Sequence, residues 1–485
     1  MRGVVAVPTR RDVIRWVARG LAVVVAGGLA AGALLAASVA PLPEVAAEPP
    51  SAVVQPAESR QLRVCPGPLL SLADDAASAA TARSVGAPDL SVAADPETAT
   101  IEQVPLDAPE NAGAAADGGP VAVSAEPGAV LAGMLAGAQS QTAATESLRG
   151  FAAASCVEPA SDSWLLAGAT DVGRSGLVLL ANPGEVASTV DLRVVGETGP
   201  VDAPSGLGIV VPPGSQRVVS LAGLAPSVRT PVVHVTSTGA PIAAALQHSV
   251  VLGLEPAGVE LSTPVAPPAT RQVVPGVVVT DDRGVAPDED HADGDDFPAL
   301  RLFAPDDAEA SAVVEIRDDA GSAVSEIDVT LAPGQVTDLP LGTLDPGSYT
   351  VVVDADAPVV AAARSTLLGE GEDPILADLA WSVATGALLD RAAVAVPDGP
   401  GASIVLANPD GEAVAATVTI GGGERTVTVP AGGAASVAVQ GGDRLILDGV
   451  EGLHAAVAFE GDGGIASIPI APPGPLDSPV RVFPQ

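Results

Sequence analysis

Leu177-Val-Leu-Leu-Ala-Asn182-Pro183-Gly184, followed by Val190-Asp191-Leu192-Arg193-Val194, is the stretch that decides the fold. An apolar run ends in an Asn-Pro-Gly turn, and the chain then alternates apolar and polar residues. Period 2 puts Val190, Leu192 and Val194 on a core face and Asp191 and Arg193 in water, as in a half-buried strand. The same events return as Leu300-Arg-Leu-Phe-Ala304-Pro305-Asp306 with Val314-Glu315-Ile316-Arg317. They return again as Ile404-Val-Leu-Ala-Asn408-Pro409-Asp410 with Val418-Thr419-Ile420.

A second element follows each: Val210-Val211-Pro212-Pro213-Gly214, Thr330-Leu331-Ala332-Pro333-Gly334 and Val429-Pro430-Ala431-Gly432. Proline presets φ and the glycine permits positive φ, which suits a tight turn between strands. A third element is Ala240-Pro241-Ile242-Ala243-Ala244, then Ala357-Pro358-Val359-Val360-Ala361, with Gly452-Leu453-His454-Ala455-Ala456 as a weaker copy. The repeat length of about 100 residues, with short strands and a turn at every joint, fits antiparallel sandwiches. Propeller blades are shorter, about 40–50 residues. The expectation is therefore three sandwiches in series, 157–265, 266–375 and 376–471, each owning its own core, with Trp164 and Trp381 as core anchors.

These motifs, with Trp164-Leu-Leu-Ala-Gly168 and Leu148-Arg-Gly-Phe-Ala-Ala-Ala-Ser-Cys156 ahead of them, resemble an uncharacterised family of exported actinobacterial proteins. That family carries tandem Trp-x-x-x-Gly, Asn-Pro-Gly, Pro-x-Ser and Pro-Ile-Val-Ala repeats. The resemblance implies an architecture and no activity.

The N-terminus reads as an export signal. Arg2, Arg10, Arg11, Arg15 and Arg19 face one acid, Asp12, in a cytoplasmic head over 1–19. Residues 20–40 carry no charge; at 1.5 Å per residue they span roughly 31 Å, enough for a hydrocarbon core of about 30 Å. The arginines place this flank in the cytoplasm and the remainder outside. The segment is a single-pass anchor or, alternatively, a cleaved signal, and Thr9-Arg10-Arg11 resembles a twin-arginine signal. Residues 41–63 read as a disordered linker. Residues 64–156 read as a β-rich segment with a disordered acidic insertion at about 87–119, and 472–485 as a tail.

Cys65 and Cys156 are the only cysteines. An even count on the exported side predicts a disulfide between them. No metal cluster is formed, since His234, His248, His291 and His454 are scattered. The acidic loop Asp288-Glu289-Asp290-His291-Ala292-Asp293-Gly294-Asp295-Asp296 breaks the calcium-loop register and reads as a solvated loop.

Composition narrows function further. The chain has 22 basic residues, all Arg, against 59 acidic ones, a formal net charge of −37. That excludes nucleic acid as a partner. Aromatics make up 2% of residues, too few for the stacking platforms typical of sugar sites. No nucleophile, phosphate-loop or zinc motif occurs. The glycines at Gly461-Asp-Gly463-Gly-Ile-Ala466 lack the strand–helix setting of a dinucleotide fingerprint. His234 and His248 read as ordinary edge-strand residues. The expectation is a mainly β, non-enzymatic, membrane-anchored cell-envelope protein without cofactor or metal: a scaffold or adhesion module of tandem immunoglobulin-like sandwiches that meets envelope proteins or wall polymer. The alternatives are a wall-polysaccharide-binding module and a secreted hydrolase using paired carboxylates.

Overall fold

The computed structural model describes residues 16, 20–25, 28, 52–54, 60–72, 82–114, 118–286, 296–306, 308–369, 375–461, 463–474 and 480–482. Two compact bodies are distinguished, one over Gln55–Pro479 and one combining Met1–Val54 with Val480–Gln485. In the latter, residues 20–25 are helical. Strands Ala52–Val54 and Val480–Val482 pair antiparallel. Most of the apolar span 20–40 lies outside the described residues, as do 41–51 and the acidic loop over 287–295. No helix among the described residues is long and apolar enough to cross a membrane.

The larger body is almost wholly antiparallel β. Its strands fall into one recurring pattern, here lettered a to h along the chain. In the module at 157–265, a is Asp162–Leu166, b Arg174–Asn182, c Ser188–Gly196, d Ile209–Val211, e Ser215–Ser220, f Val232–Thr238, g Ala243–Leu252 and h Glu255–Ser262. They pair as two sheets, a-f-c-d and e-b-g-h. The sheets face each other: Val190, Leu192 and Val194 of c meet Val178 and Leu180 of b in one core. The order repeats in the last module, which runs from a at Arg391–Ala395 to h at Gly464–Ile470. It also repeats at 266–384, with a difference. There f and g form one 22-residue strand, Gly347–Leu368, which belongs to both sheets and joins them into a seven-stranded half-barrel.

The domain boundaries read from the sequence need correction. Strand Leu376–Val383, placed at the head of the last sandwich, pairs with Gly347–Leu368 and closes the preceding module as its h. The segment before Cys156 is a fourth module, the first in the chain. Gln61–Cys65, Val121–Ala125 and Glu102–Pro105 pair as a-f-c, and Asp89–Ala94, Leu135–Ala144 and Arg149–Ser155 as b-g-h. Position a here begins at Gln61, inside the expected linker 41–63. The acidic stretch at about 87–119, expected to be disordered, holds strands b and c. In its described part Leu90, Val92 and Ile101 pack on Val123, Leu135 and the cysteines, and 115–117 lie outside the described residues.

The modules do not own separate cores. Leu177 and Leu179 of b point away from their own sandwich and pack on Leu69, Leu70, Ala152 and Ala154 of the first module. Phe303, Val360, Leu379 and Trp381 of the third module join the core of the second. Val278 of the third meets Val405, Ala407 and Ala458 of the fourth. Ala93, Ala138 and Phe151 of the first complete the fourth module's core, where Phe151 and Phe459 lie 5.3 Å apart. Each module thus shares apolar surface with both neighbours, and the four h strands touch in sequence around a common axis. The arrangement is a closed ring, not a series of independent sandwiches. The cause is written in the b strands of the second and fourth modules, whose apolar runs over 177–181 and 404–407 are buried on both faces.

Two details show how sequence sets the local turns. Asn182 Nδ2 donates to the carbonyls of Val186 (2.9 Å) and Val211 (3.0 Å), and its Oδ1 accepts from Gly184 N–H (2.9 Å). Asn408 repeats this with Glu412 and Asp410. The glycine of each Pro-Gly element adopts positive φ: 60° at Gly214, 63° at Gly334 and 69° at Gly432.

Candidate functional site

On the four h strands, Gly150, Gly258, Asp378 and Gly464 gather around one point. Asp378 Oδ2 accepts from Phe151 N–H (2.9 Å) and Ile465 N–H (3.2 Å), and its Oδ1 from Val259 N–H (3.4 Å). Leu379 N–H adds to them. One carboxyl group is therefore held by backbone from every module. The three glycines make room for it. A Cβ at Gly464 would lie 2.9 Å from Oδ2, one at Gly258 3.3 Å from the Asp378 Cα, and one at Gly150 would collide with Oδ1. Gly150 and Gly258 also take φ of 131° and 142°, a region closed to other residues.

Two residues further along its own h strand than Gly258 stands Glu260. Its Oε1 accepts from Leu261 N–H (3.0 Å) and its Oε2 has no hydrogen-bond partner. Burial pushes the Asp378 carboxyl up to about 8, against the opposing pull of its backbone N–H partners. Burial first, and the nearby Asp378 second, hold Glu260 well above the usual carboxylate range. Raised, coupled carboxyls are what acid–base chemistry uses. Here, however, Glu260 is 0% and Asp378 1% exposed, and neither lines the main cavity. Asp378 ties one strand of each module to the others.

The cavity lies at the mouth of the ring, where the chain leaves each h strand, and measures about 670 Å³. Its walls come from the four connections that follow the h strands, 155–164, 263–267, 384–386 and 468–474, together with 135–138, 241–244 and 391–395. Prolines 159, 241, 264, 267 and 469, with Val157, Ile242 and Ile470, make it mostly apolar. Two ion pairs stand at its edge: Arg63 with Glu158 (3.1 Å), and Arg391 with Asp95 (2.7 Å). The size suits a binding site for a small molecule or a short segment of chain.

Cys65 and Cys156 are joined in a disulfide that ties strand a of the first module to the cavity wall. Trp164 and Trp381 are both buried. Trp164 borders the cavity, but its ring is stacked on His234 at 3.9 Å, which takes up one face. His234 Nε2 in turn lies 2.9 Å from Asp162 Oδ2. His248, expected at an edge, is buried on strand g, between b and h. His454 donates Nδ1–H to the Thr385 carbonyl (2.7 Å), and burial pulls its pKa down. Among the described residues no group of three or more His, Cys, Asp or Glu could hold a metal ion.

Sequence reasoning missed the polar staples between modules. Arg301, 1% exposed, forks onto Asp338 (2.8 and 2.9 Å) and donates to the carbonyls of Gly168 (2.8 Å) and Pro231 (3.0 Å) in the neighbouring module. Its guanidinium lies 4.6 Å from the Trp381 ring centre. Gln247 exchanges two hydrogen bonds with Leu70 (2.7 and 2.8 Å), linking the second module to the first.

The family described as "Family of unknown function (DUF5719)" matches residues 111–440, more than half of the chain, from within the first module to within the fourth. The chain belongs to DUF5719. No curated protein matches it. Among solved structures, this DUF5719 chain is similar to the crystal structure of Thermotoga maritima 1070, at 15% identity over 24% of this chain and 93% of that one, with a TM-score of 0.18. It is also similar to a Ca2+-stabilized adhesin with which an Antarctic bacterium binds ice (13% identity, 86% of this chain and 100% of that one, TM-score 0.11). A third similarity is to a 1.5-MDa bacterial ice-binding adhesin (14%, 65% and 98%, TM-score 0.11).

Proposed function

We propose that this DUF5719 chain is a non-enzymatic protein of the cell envelope, exported and held at the membrane by residues 20–40. Its four modules are immunoglobulin-like sandwiches closed into a rigid binding scaffold. The ring mouth is its binding site and another envelope protein its partner. The cavity carries this reading: it is preformed, about 670 Å³ and mostly apolar, and all four modules build it. The Cys65–Cys156 disulfide supports placement in an oxidising compartment. Wall polysaccharide is the weaker alternative, because among the described residues the one aromatic ring at the cavity, Trp164, is buried against His234. The hydrolase reading is weaker still, since the carboxyl pair of Glu260 and Asp378 is out of reach of a substrate.

The test is a photo-crosslinking residue at Ala136, on the cavity wall, and one at Arg425, on the exposed strand Gly423–Val429. In intact cells the first is expected to trap a defined protein and the second not. Equal labelling at both positions, or a saturable hit on a glycan array, refutes the reading.

A further inference from the structure

The ring mouth already holds a short length of the protein's own chain. After strand h of the fourth module, Ala471-Pro472-Pro473-Gly474 runs along the cavity wall. Two glycines serve as its seats. A Cβ at Gly386 would stand 3.0 Å from Pro472 Cγ, and one at Gly133 would stand 2.6 Å from Pro473 Cγ. The far end is fixed by charge-assisted bonding. Gly474 N–H donates to Glu158 Oε2 (3.0 Å), and Arg63 Nη1 holds the same oxygen at 3.1 Å. Arg63 is itself buried.

This is the chemistry of a site for extended proline-rich chain. Such a segment has no internal hydrogen bonds, is already stiff, and leaves its few backbone N–H groups free for an outside acceptor. The seats accept pyrrolidine rings because no side chain stands there. Glu158 supplies the acceptor, oriented by Arg63. With the strap on its wall, the cavity measures about 670 Å³, more than a four-residue strap fills.

We propose that the ring mouth binds an extended proline-rich segment of a partner protein, and that 471–474 is the built-in competitor for its seats. The proposal rests on the reading of the mouth as a binding site and names the chemistry of what enters it. A partner segment would take the Gly386 and Gly133 seats and the Glu158 bond, displace the strap, and extend into the empty volume.

The experiment is fluorescence anisotropy on the full chain with a labelled peptide of three Ala-Pro-Pro-Gly repeats, against a proline-free Ala-Gly peptide of equal length. Saturable binding of the first peptide only is expected. Pro472→Ala with Pro473→Ala, which weakens the strap, is expected to tighten binding at least about fivefold. Glu158→Gln added to the double-alanine variant, where the strap no longer competes for the same oxygen, is expected to weaken binding about tenfold relative to that variant, the size of one lost hydrogen bond to a charged group. Circular dichroism of each variant checks that the ring is intact. Absence of saturable binding to both wild type and the double-alanine variant overturns the proposal, as does equal binding of the proline-free peptide. If crosslinking at Ala136 traps a partner while the proline peptide does not bind, this inference falls and the scaffold reading stands. If the peptide binds and cellular crosslinking traps nothing, the mouth stands as a site for proline-rich chain and the envelope-protein partner falls.

Discussion

Asp378→Ala is expected to destabilise the ring by an amount that shrinks as pH rises. Removing the carboxyl orphans the buried N–H groups of Phe151, Val259 and Ile465. At about 1–3 kcal/mol each, that costs about 3–9 kcal/mol. The wild type carries an opposing cost. The carboxyl titrates at its ordinary 3.8 in the unfolded chain and at about 8 in the ring. Above pH 4 the unfolded chain gives up this proton while the ring keeps it, so the group's contribution to stability falls as pH rises, until about pH 8. At about 1.4 kcal/mol per pH unit, the wild type loses on the order of 4 kcal/mol between pH 5 and pH 8 from this group alone. Glu260, also raised, acts in the same direction. The alanine variant lacks the Asp378 contribution. Urea unfolding followed by the fluorescence of buried Trp164 and Trp381 is expected to show a penalty about 4 kcal/mol larger at pH 5 than at pH 8. A penalty equal at both pH values, within about 1 kcal/mol, would refute the assignment of a neutral, ring-closing carboxyl.

Two further outcomes follow from the same structure. Replacing Cys65 and Cys156 together by serine opens a loop with a sequence separation of 91 residues. In the chain-entropy model this costs on the order of 4–5 kcal/mol, read as a lower unfolding midpoint, and a reductant should reproduce it in the wild type. Arg301→Ala removes a buried cation that holds Asp338 and two carbonyls of the neighbouring module. A loss of about 3–5 kcal/mol in urea unfolding is expected, with Arg301→Lys rescuing little, because the ammonium cannot reproduce the fork.

The parts of this fold that are legible in the sequence are those decided within a few residues. Asn182-Pro183 and Asn408-Pro409 announce their turns because the asparagine side chain bonds to backbone close by in the chain. The alternation at 190–194 announces a strand with one wet face, and Leu192 is buried as that phase requires. Ring closure was encoded too, in runs such as Leu177-Val-Leu-Leu and Ile404-Val-Leu-Ala, which never alternate because their second face meets a neighbouring module. The first module reads in the sequence as a β-rich segment, but not as a further copy of the repeat, because its strands are built of small and polar residues. Gln139 and Gln141 are buried there, hydrogen bonded to the backbone of Gly67 and Leu69. Asp378 had no local signature at all. Its environment is one glycine from each of three strands far apart in sequence, and only the ring brings them together.

Hydrogen exchange on Leu192→Asp tests the closed ring most directly. Leu192 is 1% exposed in the core that the second module shares with Phe303, Val360 and Trp381 of the third. An unpaired charge buried there costs several kcal/mol, comparable with the stability of a whole domain. The account predicts that protection falls together over 60–470, because each module's core is completed by its neighbours. Protection lost only over 157–265 and kept over 385–470 would show that the modules stand alone, and would contradict the ring as the unit of folding.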